Sequence, residues 1–121
     1  MRLTRQILYW TIFINFCIST FAIACPEGWS EATLNKQSYC IEITKVENIK
    51  SHEASLICEA KEAKVCTSEQ WMSACRAGLI STGSWEWSIS IGQYISIVGN
   101  NDCNDLAFGE LSPVANLRCC K

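Results

Sequence analysis

Cysteine is the residue type through which this chain could do the most chemistry. Of its nine cysteines, Cys17 falls in an apolar N-terminal stretch. Eight remain: Cys25, Cys40, Cys58, Cys66, Cys75, Cys103, Cys119 and Cys120. An even number can pair completely in an oxidising compartment, where disulfides form and persist. Zinc is the rival use, but its sites are built from closely spaced C-x2-C pairs. The intervals Cys58 to Cys66 and Cys66 to Cys75 are far wider, and His52 is the only histidine. Thiol redox chemistry would need a C-x-x-C motif or a cysteine in a strongly basic setting. Neither is present beyond Arg118 beside Cys119. The eight cysteines therefore read as disulfide partners.

Oxygen-bearing side chains form the second candidate group. Asn100, Asn101, Asp102, Asn104, Asp105 and Glu110 offer hard ligands of the kind calcium takes. No E-P-N or Q-P-D triplet accompanies them. An EF-hand frame also fails, because Asp105 stands where the loop glycine belongs and Leu111 where the bidentate glutamate belongs. The expectation is a ligand-binding loop from Gly99 to Asp105 together with Glu110, with an ordinary solvated turn as the competing reading. Acid–base or nucleophilic catalysis needs a positioned partner for each reacting group. His52 sits beside Glu53 at a helix start, and Glu86 stands between Trp85 and Trp87. Neither completes a catalytic template, so the chain is expected to be non-catalytic and to hold no cofactor.

These residues must be positioned by a handful of elements. Cys25-Pro26-Glu27-Gly28-Trp29 reads as a turn, and Ser38–Ile43 as a strand. A first helix is predicted from Ser51, as N-cap, to about Ala63, with Ala54, Ile57 and Cys58 on its buried face. Glu59, Lys61, Glu62 and Lys64 are expected in solvent, and Val65-Cys66 makes a brief extended link. Thr67-Ser68-Glu69-Gln70 is a capping box that opens a second helix, Ser68 to about Ala77, stopped by Gly78. Trp71, Ala74 and Cys75 line its inner face.

From Trp85 the period changes to two. Trp85–Ile91 and Tyr94–Val98 predict a hairpin around Gly92-Gln93, with Trp85, Trp87, Ile89 and Ile91 on one face and Glu86 on the other. Asn116–Cys120 is the closing strand. Adjacent strand side chains point to opposite faces, so Cys119 and Cys120 should bridge to different partners.

Arg2 and Arg5, an apolar run from Ile7 and the A-x-A pattern Ala22-Ile23-Ala24 read as a cleavable signal peptide over 1–24, leaving one domain at 25–121. A retained membrane anchor and a lipidated Cys25 are the alternatives; lipidation would orphan one cysteine. The leader holds two arginines and no acid, so its loss moves the formal charge from −2 to about −4. Charges are scattered without a basic stripe, which argues against nucleic acid and anionic membranes as partners. A secreted or periplasmic monomer with a protein or glycan ligand is expected.

Several of these segments line up with a known family. Cys58-Glu59-Ala60-Lys61-Glu62-Ala63-Lys64-Val65-Cys66-Thr67-Ser68-Glu69-Gln70-Trp71 resembles the helix–strand–helix signature of the formylglycine-generating (sulfatase-modifying factor) family. Ser84-Trp85-Glu86-Trp87-Ser88 resembles its N-V-W-E-W-T strand, and Leu117-Arg118-Cys119 its terminal F-R-C strand. The similarity covers most of Tyr39 to Cys120. It implies a C-type-lectin-like fold: an α+β domain with two helices packed on a twisted antiparallel sheet, here disulfide-rich. It also implies a Cys58–Cys119 bridge, and Cys25–Cys40 resembles the N-terminal hairpin bridge of long-form lectin-like domains. The pairing of Cys66, Cys75, Cys103 and Cys120 stays open, with Cys66–Cys120 and Cys75–Cys103 as the working assignment. The enzymes of that family are longer and carry a C-x4-C catalytic pair after the W-E-W strand. Only Cys103 lies in that interval here, and Val65-Cys66 replaces the family's leucine-proline. The resemblance therefore implies a short non-catalytic member. It binds a ligand or braces an assembly; calcium-dependent sugar binding and a degenerate enzyme are the alternatives.

Overall fold

The computed structural model describes residues 24–121. The expected leader, apart from Ala24, lies outside the described residues. Two strands come first among the described residues, β1 (Trp29–Leu34) and β2 (Gln37–Glu42). They form an antiparallel hairpin running from Trp29 opposite Glu42 to Leu34 opposite Gln37. Asn35 and Lys36 join them with φ of 51° and 65°. A two-residue turn with both φ positive matches the right-handed twist of the flanking strands. The sequence reading found β2 but placed no strand at β1, whose Ser30, Glu31 and Thr33 dilute the apolar signal.

Strand β3 (Val46–Ile49) leads into helix α1 (Ser51–Ala60). Lys50, not Ser51, is the N-cap, and no side chain caps the helix, so Ser51 is its first helical residue. The helix also stops earlier than the expected Ala63. Glu62 takes a left-handed φ of 55°, the Ala63 amide returns to the Cys58 carbonyl (2.9 Å) and the Glu62 amide to that of Glu59 (3.0 Å). This is a Schellman stop made without glycine. Ala54 and Cys58 are fully buried and Ile57 is half-buried, as the helical spacing predicts. Lys61 is not free in solvent; its ammonium lies 2.8 Å from the Glu42 carboxylate.

Strand β4 (Lys64–Val65) precedes helix α2 (Ser68–Arg76). The capping box is present in both directions: the Gln70 amide donates to Thr67 Oγ1 (3.1 Å), and the Thr67 amide donates to Gln70 Oε1 (2.9 Å). At the other end Gly78 has φ 78°, and the Leu79 amide reaches the Ala74 carbonyl (3.0 Å). Trp71 and Ala74 are fully buried.

The C-terminal half adds β5 (Glu86–Ser90), β6 (Tyr94–Val98), β7 (Leu106–Phe108), a 3-10 turn (Gly109–Leu111), β8 (Ala115–Leu117) and β9 (Cys119–Cys120). The β5–β6 hairpin pairs Ser90 with Tyr94, so three residues make its turn: Ile91, Gly92 and Gln93. Ile91 therefore leaves the tryptophan face and is 84 % exposed. The expected closing strand is two strands. β8 joins the five-stranded sheet β3-β8-β5-β6-β7, beside β3 and parallel to β5. β9 joins the four-stranded sheet β1-β2-β9-β4. Arg118 is the step between them.

The described residues are thus α+β, with two helices on two sheets and four disulfides. The bridges are Cys25–Cys40, Cys58–Cys119, Cys66–Cys120 and Cys75–Cys103, with Cα separations of 5.6, 5.4, 4.9 and 5.6 Å. Adjacent Cys119 and Cys120 bridge to different elements: Cys119 to α1, Cys120 to the link between β4 and α2. The core has two parts. Trp71, Tyr39, Ile41 and Val98 fill one, on the α2 side. Trp87, Ile97, Leu117 and the Cys58–Cys119 bridge fill the other, on the α1 side. The strand β5 lies between them, which makes both of its faces internal.

Candidate functional site

The face of β5 that alternation assigns to Glu86 is buried, not solvated. Glu86 is 1 % exposed. Its Oε1 accepts a hydrogen bond from Trp71 Nε1 (2.9 Å) and lies 3.6 Å from Arg118 Nε. That second distance is an ion pair without a hydrogen bond. Glu86 Oε2 and Arg118 Nε and Nη1 have no hydrogen-bond partner among the described residues. Burial pushes the Glu86 carboxyl above the usual carboxylate range, against the opposing pull of Arg118, Trp71 and Lys45. A perturbed acid is a common mark of an active site. Here Glu86 and Arg118 are both buried, 1 and 5 % exposed. Its chemistry is structural: it anchors the Trp71 indole and faces the cation at the β8–β9 step.

Further along the same face four hydroxyls meet. Ser68 Oγ, at the first turn of α2, lies 3.0 Å from each of Ser88, Ser90 and Ser96 Oγ. Ser96 Oγ lies 2.7 Å from Ser88 and Ser90 Oγ. Hydroxyls both donate and accept, so such a cluster satisfies itself inside a low-dielectric core. It also marks the limit of helix cover. α2 roofs Glu86, Ser88 and Val98 of this sheet face, but the face continues through Tyr94, Leu106 and Phe108 by strand alternation and register.

That continuation is uncovered. Tyr94, Leu106, Phe108 and Leu111 are 70, 53, 76 and 73 % exposed. With Ser90 and Ser96 they line an open groove of about 450 Å³. β6 and β7 contain no charged residue. A cluster of large apolar side chains left in water on a folded domain is the usual sign of a binding surface. Gly109 lets the 3-10 turn close against the strands, because a Cβ there would press on Ile95 and Trp87.

The expected ligand loop lies at the far end of β7. Asp105 accepts from the backbone amides of Asn101 (2.7 Å) and Asp102 (2.9 Å), and Asp102 from the Asn104 amide (2.8 Å). Asn104 Oδ1 accepts from Arg76 Nε (2.9 Å), and the Cys75–Cys103 bridge pins the turn to α2. These oxygens shape their own loop. Asn100 is half-buried at its start. The structure brings Asn101, Asp102, Asn104 and Asp105 together and sets Glu110 apart, in a second cleft that shares Tyr94, Ile95 and Phe108 with the groove. No group of three or more His, Cys, Asp or Glu residues could hold a metal ion among the described residues. His52 is exposed on the first turn of α1.

The groove residues were missed by sequence reasoning: Leu106-Ala107-Phe108 is an apolar run of three, too short to show a period. Alternation shows which side chains share a face; it does not show whether anything covers that face. No family model matches the chain, and no curated protein or solved structure matches it either. No helix is long and apolar enough to cross a membrane among the described residues.

Proposed function

We propose that the protein is an exported, non-catalytic binding module on a C-type-lectin-like scaffold, and that it recognises a partner through the apolar groove of β6, β7 and the 3-10 turn. One observation carries the reading: four large apolar side chains stand exposed together on two uncharged strands. Burying such side chains stabilises a complex by ~25 cal/mol per Å² of apolar surface before the costs of association. Four disulfides support the exported setting, since such bridges persist in oxidising compartments. The N-terminal hairpin beside the last strand, and the bridge from α1 to that strand, support the scaffold. The recognition surface is displaced from the loop at Asn100–Asp105 to the neighbouring groove, because the loop carboxylates are engaged by their own amides.

An apolar fluorescent probe such as anilinonaphthalene sulfonate tests the reading. The folded protein should enhance its fluorescence, and Leu106→Asp or Phe108→Asp should abolish the enhancement while the melting temperature holds. Asp105→Asn should leave the enhancement intact. No enhancement, or one indifferent to Leu106 and Phe108, contradicts the proposal.

A further inference from the structure

We infer that a second copy of this chain adjoins the groove, joined by antiparallel pairing of β7 with its own image. The inference rests on the groove being a binding surface and names the chain that meets its open edge.

Strand β7 is the outer strand of its sheet. The direction of its free backbone groups follows from the ladder. The Gly99 amide donates to the Asp105 carbonyl (3.2 Å), and the register continues through Ile97 opposite Ala107. Bonded and non-bonded pairs alternate along an antiparallel ladder. Ala107 therefore turns its N–H and C=O inward to Ile97. Leu106 and Phe108 turn theirs outward, to an edge with no strand beside it among the described residues.

An edge of that kind is a template for another strand, and proteins ordinarily blunt it. The other three edges are blunted. β1 carries Glu31. β3 carries Glu47, breaks register between Val46 and Ile49 and has a left-handed Asn48. β4 is two residues long and begins with Lys64. Among the described edge strands β7 alone combines outward-facing large apolar residues with no charge.

A two-fold axis at Ala107 satisfies this edge. It sets Leu106 of each copy opposite Phe108 of the other. Both are bonding positions, so four N–H···O=C bonds form across the axis. The two Leu–Phe pairs fall on the groove face, where cross-strand aromatic–aliphatic contacts stabilise a sheet. Each strand meets its own copy, so a charge here would face itself; none is present. The union makes one ten-stranded sheet, with a helix α2 on each side of the joint.

Sedimentation equilibrium of the oxidised protein from ~1 to ~200 µM tests this, with amide hydrogen exchange at both ends of the range. The expected result is a concentration-dependent dimer in which the Leu106 and Phe108 amides exchange at least tenfold more slowly than at dilution. The Ala107 amide should be protected at both concentrations. Phe108 has φ −70°, which proline accepts. Phe108→Pro removes an outward N–H that the monomer does not use; it should yield a monomer with an unchanged melting temperature. A monomer at every concentration overturns the inference, as does a dimer whose Leu106 and Phe108 amides stay fast. If the chain is monomeric but probe binding still depends on Leu106 and Phe108, the groove stands and only the second copy at its edge falls.

Discussion

Glu86 is the residue whose role differs most from its sequence reading. Alternation sets it on the face opposite Trp85 and Trp87 without saying whether that face is covered; α2 covers it and the carboxyl is enclosed. Burial raises its pKa above the ordinary 4.5 despite Arg118. In the unfolded chain the group ionises first as pH climbs, so the folded form holds the extra proton and stability falls with rising pH. The loss begins near pH 4.5 and ends once the pH passes the raised folded value. Glu86→Gln keeps an acceptor for Trp71 and has no proton to lose. The gap in melting temperature between the variant and the natural protein should therefore widen in the variant's favour as pH rises from ~4 to 8. A gap that does not change with pH contradicts the buried-carboxyl account. Gly99 is the second informative residue. Its φ is 74°, and a methyl there would overlap the Trp71 ring. Gly99→Ala should cost at least ~1–3 kcal/mol by overpacking, read from urea unfolding.

Local chemistry was legible at the level of elements wherever it decides structure by itself. Thr67 and Gln70 announce the start of α2, and Gly78 its end, and both are where the pattern puts them. Thr67→Ala removes one half of that box and should cost ~0.5–2 kcal/mol in unfolding experiments, whereas Thr67→Ser should cost little. Elements whose limits depend on distant partners were not legible. α1 stops on Glu62 in a left-handed conformation that no glycine signals. β1 forms because β2 lies beside it. The run from Asn116 to Cys120 looks like one strand, but its two halves find hydrogen-bond partners in different sheets on either side of Arg118. The same reason hid the candidate site. Tyr94 looks like an ordinary strand residue and nothing in the sequence sets Leu106 and Phe108 beside it; the short reach of α2 leaves all three in water.

Across the described residues, stability comes from a small core in two parts and from four cross-links. Cys58–Cys119 and Cys66–Cys120 close loops of 61 and 54 residues and hold the C-terminal strand to both the first helix and the β4–α2 link. On chain-entropy grounds each contributes ~4 kcal/mol, against ~3 kcal/mol for the 15-residue loop of Cys25–Cys40. Replacing both Cys58 and Cys119 by alanine should therefore lower the urea midpoint more than replacing both Cys25 and Cys40. Such a frame can leave apolar surface uncovered without unfolding, which is what a binding face requires.

That uncovered face is the centre of the account, and side-chain oxidation by hydroxyl radicals measures it most directly. At a concentration below any association, Tyr94, Phe108 and Leu111 should be modified quickly, while Trp71 and Trp87 stay protected until the chain unfolds. Phe108 and Tyr94 reacting as slowly as the two buried tryptophans would contradict it.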